Sequence, residues 1–447
     1  MSDDDPAGVT DASGPWRLQP GHLVARTGHP DFLDFPWDQP LEDWDDPRLV
    51  DYAKGVSRHV VRFVAEGGRA YALKETSLSL AEREYGLLRA LAEDDLPVVE
   101  AVGVVSGRGA APDGEALGAV LITRHLEFSL PYRLLFTGRG VPDLRSRLID
   151  ALAVLLVRLH LGGYFWGDCS LSNVLFRRDA GALAAYLVDA ETGEHHPRLS
   201  NGQRGHDLTI ATENLVGELL DLGSASRLPS DVDPFEAAEE LESRYLGLWD
   251  ELTRKEEIGP GERHRIAARL RRLNDLGFDV EEFELVGVPG RREVQMVARV
   301  LEEGHQRRRL AELTGLDVHE NQARRLLNDI AQHRAWLRSR EGRELPDAVA
   351  AYRWLTEVFE PTLARVPPDL ADKLHPAELF HEILAHRWYL GEQLGRDVDT
   401  FEAVDDYVEA ELRSRTNEHT VLLLDDLADP DDPDDPDDPD DPDDADG

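Results

Sequence analysis

The segment LHLGGYFWGDCSLSNVLFRRDAGALAAYLVDAET, residues 159–192, constrains this chain more than any other. It opens at the end of a helix. Leu144, Leu148, Ile149, Leu152, Leu155 and Leu159 recur at helical spacing behind Asp143, a residue type that caps helix N-termini, and the stripe stops at Gly162 and Gly163. Two apolar runs, NVLF and AAYLVD, flank the turn RRDAGAL and read as a β-hairpin. That hairpin returns Asp189 to the side of Asn173, which lies five residues after Asp168 in the loop leaving the helix. A carboxylate, a carboxamide five residues on and a second carboxylate across a hairpin suit phosphoryl transfer from ATP. Such chemistry needs one group to position or deprotonate a hydroxyl and hard oxygen donors to hold Mg²⁺ against the phosphates.

Upstream, residues 58–76 read as another hairpin: VVRFVA, a turn at EGGR containing Gly67 and Gly68, then AYALKE. A helix follows, with Ser79 and Glu82 at capping-box spacing and Leu80, Leu87, Leu88 and Leu91 at helical intervals. VVEAVGVVS (98–106) and LGAVLITRH (117–125) read as strands, so this part is a small sheet with one helix. Lys74 stands in the second strand of the hairpin and is one of only four lysines, against 45 arginines. Against that bias, a lysine in an apolar run is less easily an accident of composition. Its compact ammonium can approach phosphate oxygens and a carboxylate where an Arg fork fits differently; the plain alternative is an edge-strand lysine snorkelling to solvent.

These pieces together resemble the protein-kinase-like superfamily. GDCSLSN is similar to the catalytic loop of its atypical bacterial and small-molecule members, and VDAET resembles the metal-binding segment, with Ala190 and Glu191 replacing Phe and Gly. ALKET places Lys74 where the pattern has its phosphate-binding lysine, and Glu84 in AEREYGLLRAL resembles the helix glutamate that pairs with it. The nearest group is the lipopolysaccharide core kinases of the Kdo and heptose type, over residues 55–222. The whole chain resembles an actinobacterial family joining such a lobe to a helical domain of unknown function. The resemblance implies a bilobal α+β fold, ATP and Mg²⁺ as cofactors, and transfer to a hydroxyl acceptor that is not carried over with the fold. Asp168 would be the base, Asn173 and Asp189 the metal ligands, and Lys74 with Glu84 the phosphate-charge pair. Gly55, Ser57 and Arg58 would form a glycine-poor cover over the phosphates. Trp166 stands where the loop commonly has His, and with the sparse glycines it favours a rival, a pseudokinase-like scaffold acting through its helical half.

The expected organisation is an acidic extension (1–50), an N-lobe (51–130), a C-lobe core (131–225), a mostly helical domain (226–428) and an Asp/Pro tail (429–447). Helices are clearest at 206–222, 234–256, 261–275, 318–340, 346–359 and 376–393. The tail holds 12 Asp and no base in a DDP period, which predicts an extended disordered segment. The formal net charge is −40, to which the tail contributes −12 and residues 1–53 contribute −9, leaving −19 on the body. Such a chain disfavours nucleic acid and anionic lipid, although the Arg-rich stretch 304–315 with Arg324, Arg325, Arg334, Arg338 and Arg340 is the one plausible anion-binding face. Cys169 is the lone cysteine, which excludes a disulfide framework and fits a reducing cytoplasm. No apolar run reaches 18 residues, ALAVLLV (151–157) being flanked by Asp150 and Arg158, and the acidic N-terminus argues against a signal peptide.

Some weaker signals are set aside. His381 and His386 in HEILAH are five apart rather than four, which turns the second ring off the first one's helical face. Cys169 has no evident base partner and reads as a packing residue; His195, His196 and His206 read as surface or capping groups. Arg204, Asp207 and Glu213 follow the expected metal loop, and structural anchoring and substrate contact stay open for them.

Overall fold

Alternating apolar residues on either side of Gly67 and Gly68, both at positive φ, fold into β3 (Val61–Glu66) and β4 (Arg69–Thr76), paired antiparallel from Glu66↔Arg69 to Val61↔Lys74. The computed structural model describes residues 22–30, 32–50, 59–111, 114–137, 143–254, 256–258, 282–287, 294–299, 305–415 and 417–418. Two compact units divide the chain. Of the described residues, the first takes those within 22–50, 59–85 and 101–125, and the second takes 86–100 and those within 126–418.

The first unit is built on a six-stranded sheet in the order β1-β5-β6-β4-β3-β2, with β1 at Leu23–Ala25, β2 at Leu49–Val50, β5 at Glu100–Val105 and β6 at Ala119–Arg124. Both edge strands come from the stretch expected to be an acidic extension. Runs of two and three residues carry no period-2 signal, so the sequence pattern is silent about them. From that stretch Phe32, Phe35, Leu41 and Trp44 share a core with Val64, Tyr71, Leu73, Val102, Val120 and Ile122. A buried Arg108 fixes the extension. It donates to the Glu75 carboxylate and to the carbonyls of Trp37, Gln39 and Gly118, while Glu75 accepts from the Leu41 N–H at 3.0 Å.

Helix α1 (Leu78–Glu93) follows β4 with only Ser77 between it and Thr76. Its first turn is held by Ser77, whose Oγ accepts from the Leu80 N–H at 3.4 Å, so the expected box at Ser79 and Glu82 lies inside the helix rather than at its start.

In the second unit, β7 (Leu130–Pro131) and α2 (Tyr132–Thr137) lead to α3 (Leu144–Leu161). Asp143 occupies the N-cap position of α3, yet its side chain makes no capping bond. A lost cap costs about 1 kcal/mol, whereas each buried leucine of the stripe contributes roughly 1.5–3 kcal/mol, so packing decides that this helix forms. After β8 (Tyr164–Phe165) come β9 (Val174–Asp179) and β10 (Ala182–Leu187), then β11 (Glu194–His195), α4 (Asn201–Ser224) and α5 (Pro234–Thr253). The hairpin β9–β10 pairs from Asp179↔Ala182 to Val174↔Leu187, with β7 on the other side of β9.

A small sheet in the order β12-β14-β13 follows, from β12 (Glu256–Ile258), β13 (Glu282–Gly287) and β14 (Val294–Arg299), within a stretch expected to be helical. The expected helix at 261–275 and the Asp/Pro tail lie outside the described residues. Helices α6 (His305–Thr314), α7 (Glu320–Glu341) and α8 (Asp347–Trp354) come next, and α8 passes through a π-type turn at Leu355–Phe359 into α9 (Glu360–Ala364). Then follow α10 (Pro368–Ala371), α11 (Pro376–Leu394) and α12 (Thr400–Ala410). Leu310, Leu326, Ile330, Trp354, Phe359 and Phe380 form one core of this region, and Leu379, Ile383, Val404, Tyr407 and Leu412 another. The architecture is α+β, a sheet-based N-terminal part followed by a mostly helical C-terminal part. No helix among the described residues is long and apolar enough to cross a membrane.

Candidate active site

In the first unit, β4 lies between β6 and β3, with Lys74 opposite Val61 on one side and Leu121 on the other. The lysine is therefore interior, not at an edge. It is 9% exposed, and its Nζ donates to Glu84 Oε2 at 3.1 Å, the glutamate being 1% exposed. A buried carboxylate and ammonium keep their charges only in such close pairing, and the link from β4 into α1 sets the distance. The structure thus brings Lys74 and Glu84 together as the sequence order implied. Gly55, Ser57 and Arg58 lie outside the described residues.

In the second unit, the chain leaves α3 through Gly162 and Gly163, pairs β8 with β11, and enters the loop 166–173. Gly167 takes φ +82, and a Cβ there would stand 3.1 Å from the Thr192 carbonyl oxygen, so the residue just before Asp168 has to be glycine. Asn173 turns its amide toward Asp168, donating from Nδ2 to the carbonyl oxygen at 3.2 Å and to Oδ2 at 3.3 Å. The Val188 N–H donates to the Asn173 carbonyl at 3.0 Å, which sets Asp189 one residue beyond that rung. Past it, Asp189 Oδ1 accepts from the Glu191 N–H at 3.0 Å and Thr192 Oγ1 donates to the Trp166 carbonyl at 2.8 Å, closing the VDAET turn against the loop. Asp168, Asn173 and Asp189 are accordingly neighbours, all partly buried.

The loop is held by residues that the motif does not contain. Asp207, fully buried on α4, accepts the Trp166 N–H at 2.7 Å and the Gly167 N–H at 2.8 Å. Its Oδ2 lies 3.0 Å from His160 Nε2, and since a carboxylate accepts, that nitrogen carries the proton while Nδ1 accepts from Tyr245 Oη at 2.6 Å. Asn214 donates to the Cys169 carbonyl at 3.0 Å. Glu218 accepts from the N–H groups of Leu171 and Ser172, both at 2.8 Å, and from the Ser172 hydroxyl at 2.6 Å. Burial pushes the Glu218 carboxyl up, with Ser172 and Leu171 pulling the other way. Residues 207, 214 and 218 stand at i, i+7 and i+11, within about 40° of one another around a helix, so one face of α4 presents all three side chains.

Of the three residues noted after the expected metal loop, Asp207 is an anchor of the 166–173 backbone. Arg204 donates to Tyr245 Oη at 3.1 Å and lies 3.7 Å over the Trp249 ring, and Glu213 is exposed. Trp166 is 2% exposed and anchors nothing by its side chain, because the backbone support comes from Asp207. Cys169 is buried, and burial followed by Asp207 raises its thiol well above the ordinary value, so it is a packing residue and no nucleophile. His195 stacks on Tyr164 and His206 on Phe165. His381 faces Arg325 while His386 faces Asp406, two partners on different sides, as their spacing requires. In the Arg-rich stretch, Arg308 pairs with Asp95, and Arg309 and Arg334 pair with Asp347.

Residues 52–214 match the model of the lipopolysaccharide kinase (Kdo/WaaP) family, and residues 247–412 match a domain family of unknown function, DUF4032. No curated protein matches the sequence. Among solved structures, one titled "WaaP in complex with acyl carrier protein" is 17% identical, with 51% of this chain and 88% of that chain covered and a TM-score of 0.33. The chain is thus similar over residues 52–214 to the Kdo/WaaP lipopolysaccharide kinases, within the protein-kinase-like superfamily, and over residues 247–412 to the DUF4032 domains.

Proposed function

We propose that this chain is an ATP- and Mg²⁺-dependent phosphotransferase acting on a hydroxyl acceptor, whether a sugar, another small molecule or a protein. The observation that carries the reading is the loop 166–173, tied by Asp207, Asn214 and Glu218 into one conformation with Asp168 beside Asn173 and Asp189 across the next rung. In this reading Asp168 orients the acceptor hydroxyl and takes its proton. The donor set suits Mg²⁺: Asn173 spends its amide nitrogen on Asp168, which leaves Oδ1 for an ion, and Asp189 adds a hard carboxylate oxygen. Bound there, Mg²⁺ would offset charge on the transferring phosphate. Lys74, held by Glu84, is the cation for the phosphate oxygens, and Gly55, Ser57 and Arg58 are proposed to cover them. Residues 51–130 and 131–225 would supply the two catalytic parts, and residues 226–428 a separate helical module.

The test is phosphate transfer from γ-labelled ATP into a host extract, with Asp168→Ala as control. Label incorporated by the wild type and abolished in the variant supports the reading. ATP bound with Mg²⁺ but no transfer to any component would leave the scaffold alternative, which the Trp166 position favours.

A further inference from the structure

The turn of the β9–β10 hairpin meets the helical region through its first residue, Ala180, which is buried, while Gly181 is exposed. Ala180, 2% exposed, and Gly181 take φ +53 and +86, the two positive values of a tight two-residue hairpin turn. An alanine in that conformation is strained by about 1–2 kcal/mol, so something has to hold it. Its N–H donates to Glu378 Oε2 at 2.7 Å, from the first turn of α11. Next to it, Asp179 accepts the N–H of Gln322 at 2.8 Å and of Asn321 at 3.3 Å, which are free donors of the first turn of α7. The hairpin therefore supplies the cap of a helix that lies about 140 residues downstream in the chain. Gln322 completes the set: its Nε2 donates to the Arg178 carbonyl at 3.1 Å and to Glu378 at 2.8 Å, and its Oε1 accepts the His319 N–H at 3.2 Å. Asp179, Gln322 and Glu378 are 4%, 1% and 3% exposed.

A polar network this deep is a poor choice for stability alone, since apolar packing of the same volume holds as well; its distinctive effect is to admit one geometry. What it fixes is the far end of two six-residue strands, each about 20 Å long. The near end of β9 follows Asn173 directly, and Asp189 comes two residues after β10. That base has a tie of its own, the Val99 N–H to the Leu187 carbonyl at 3.0 Å and the Leu187 N–H to Pro97 at 3.0 Å. The hairpin is thus held at both ends, and a ladder of six paired residues joins them.

We infer that Gln322 and Glu378, with Asp179, are positioning residues for the metal ligands, and that the DUF4032-like region serves the phosphotransfer site by clamping this hairpin. The inference rests on the function proposed above for Asn173 and Asp189. Three full-length variants test it: Glu378→Leu, which removes the acceptor; Glu378→Gln, which keeps one; and Gln322→Met, in case the first does not fold. Mg²⁺ is titrated at saturating ATP, ATP is titrated at saturating Mg²⁺, and backbone hydrogen exchange is followed over residues 187–191. Glu378→Leu, or Gln322→Met in its place, should raise the half-saturating Mg²⁺ concentration by about tenfold, as loss of a ligand's supporting partner does. The ATP KM should stay near the wild-type value, exchange at 187–191 should quicken, and Glu378→Gln should restore most of the Mg²⁺ response. Wild-type Mg²⁺ response and exchange in both clamp variants would overturn the inference. If the wild type itself shows no Mg²⁺-dependent ATP binding, the phosphotransfer reading falls, and exchange at 187–191 decides alone: faster exchange keeps the clamp, unchanged exchange removes it.

Discussion

Two hairpins hold the residues proposed to carry the chemistry of this molecule, and they position them in opposite ways. In β3–β4 the proposed phosphate partner sits mid-strand: Lys74 is flanked by neighbouring strands on both sides, and burial and the ion pair to Glu84 help hold it. In β9–β10 the proposed metal ligands lie outside the strands, Asn173 just before β9 and Asp189 two residues after β10, while Asp179 ends β9 at the turn. A group inside a sheet is placed by the sheet. A group beyond a strand's end is placed only by what grips the loop there, here Asp207, Asn214 and Glu218 for the 166–173 loop.

That difference can be broken from either side. The largest effect belongs to the loop's chemistry: Asp168→Ala should cut turnover by about 10²–10⁴-fold, the usual weight of a general base, with the melting temperature nearly unchanged because the residue is partly exposed. Next, Lys74→Met should destabilise the first unit by about 3–5 kcal/mol in denaturant unfolding, since the Glu84 carboxylate stays buried without its ammonium; Lys74→Met with Glu84→Leu should recover much of the loss. Glu218→Ala should be milder, about 1–3 kcal/mol, because it strands the Leu171 and Ser172 N–H groups, and its larger signature should be a drop in turnover as the loop loosens.

A further effect is a pH dependence at the hairpin turn. Burial, reinforced by Glu378, raises the Asp179 carboxyl from 3.8 to about 6. A group with a raised folded pKa binds its proton more tightly when folded. Its favourable contribution is therefore complete below about pH 3.8 and is lost as pH rises through about 6. Asp179→Asn has no proton to lose. The melting temperature of the variant minus that of the wild type should thus rise across that window and level off above it; a flat difference would show that Asp179 keeps an ordinary carboxyl.

Much of this was legible in the sequence because local signals agreed: a leucine stripe ending in paired glycines, two hairpins with glycine turns, and Lys74 standing out in a lysine-poor chain. The grips were not legible. Asp207, Asn214 and Glu218 share one helical face, a signal that acquires meaning only once the loop they face is known, and Asp179 caps a helix far away in the chain. The edge strands β1 and β2 were missed because they are too short to show a period.

The central claim is that Asn173 and Asp189 are placed to hold a metal against ATP. It is tested most directly by isothermal titration of ATP into the full-length protein, with and without Mg²⁺, for the wild type and Asp189→Ala. The account predicts binding that needs Mg²⁺ in the wild type and loses that dependence in the variant. ATP binding that ignores Mg²⁺, or that Asp189→Ala leaves unchanged, would contradict it.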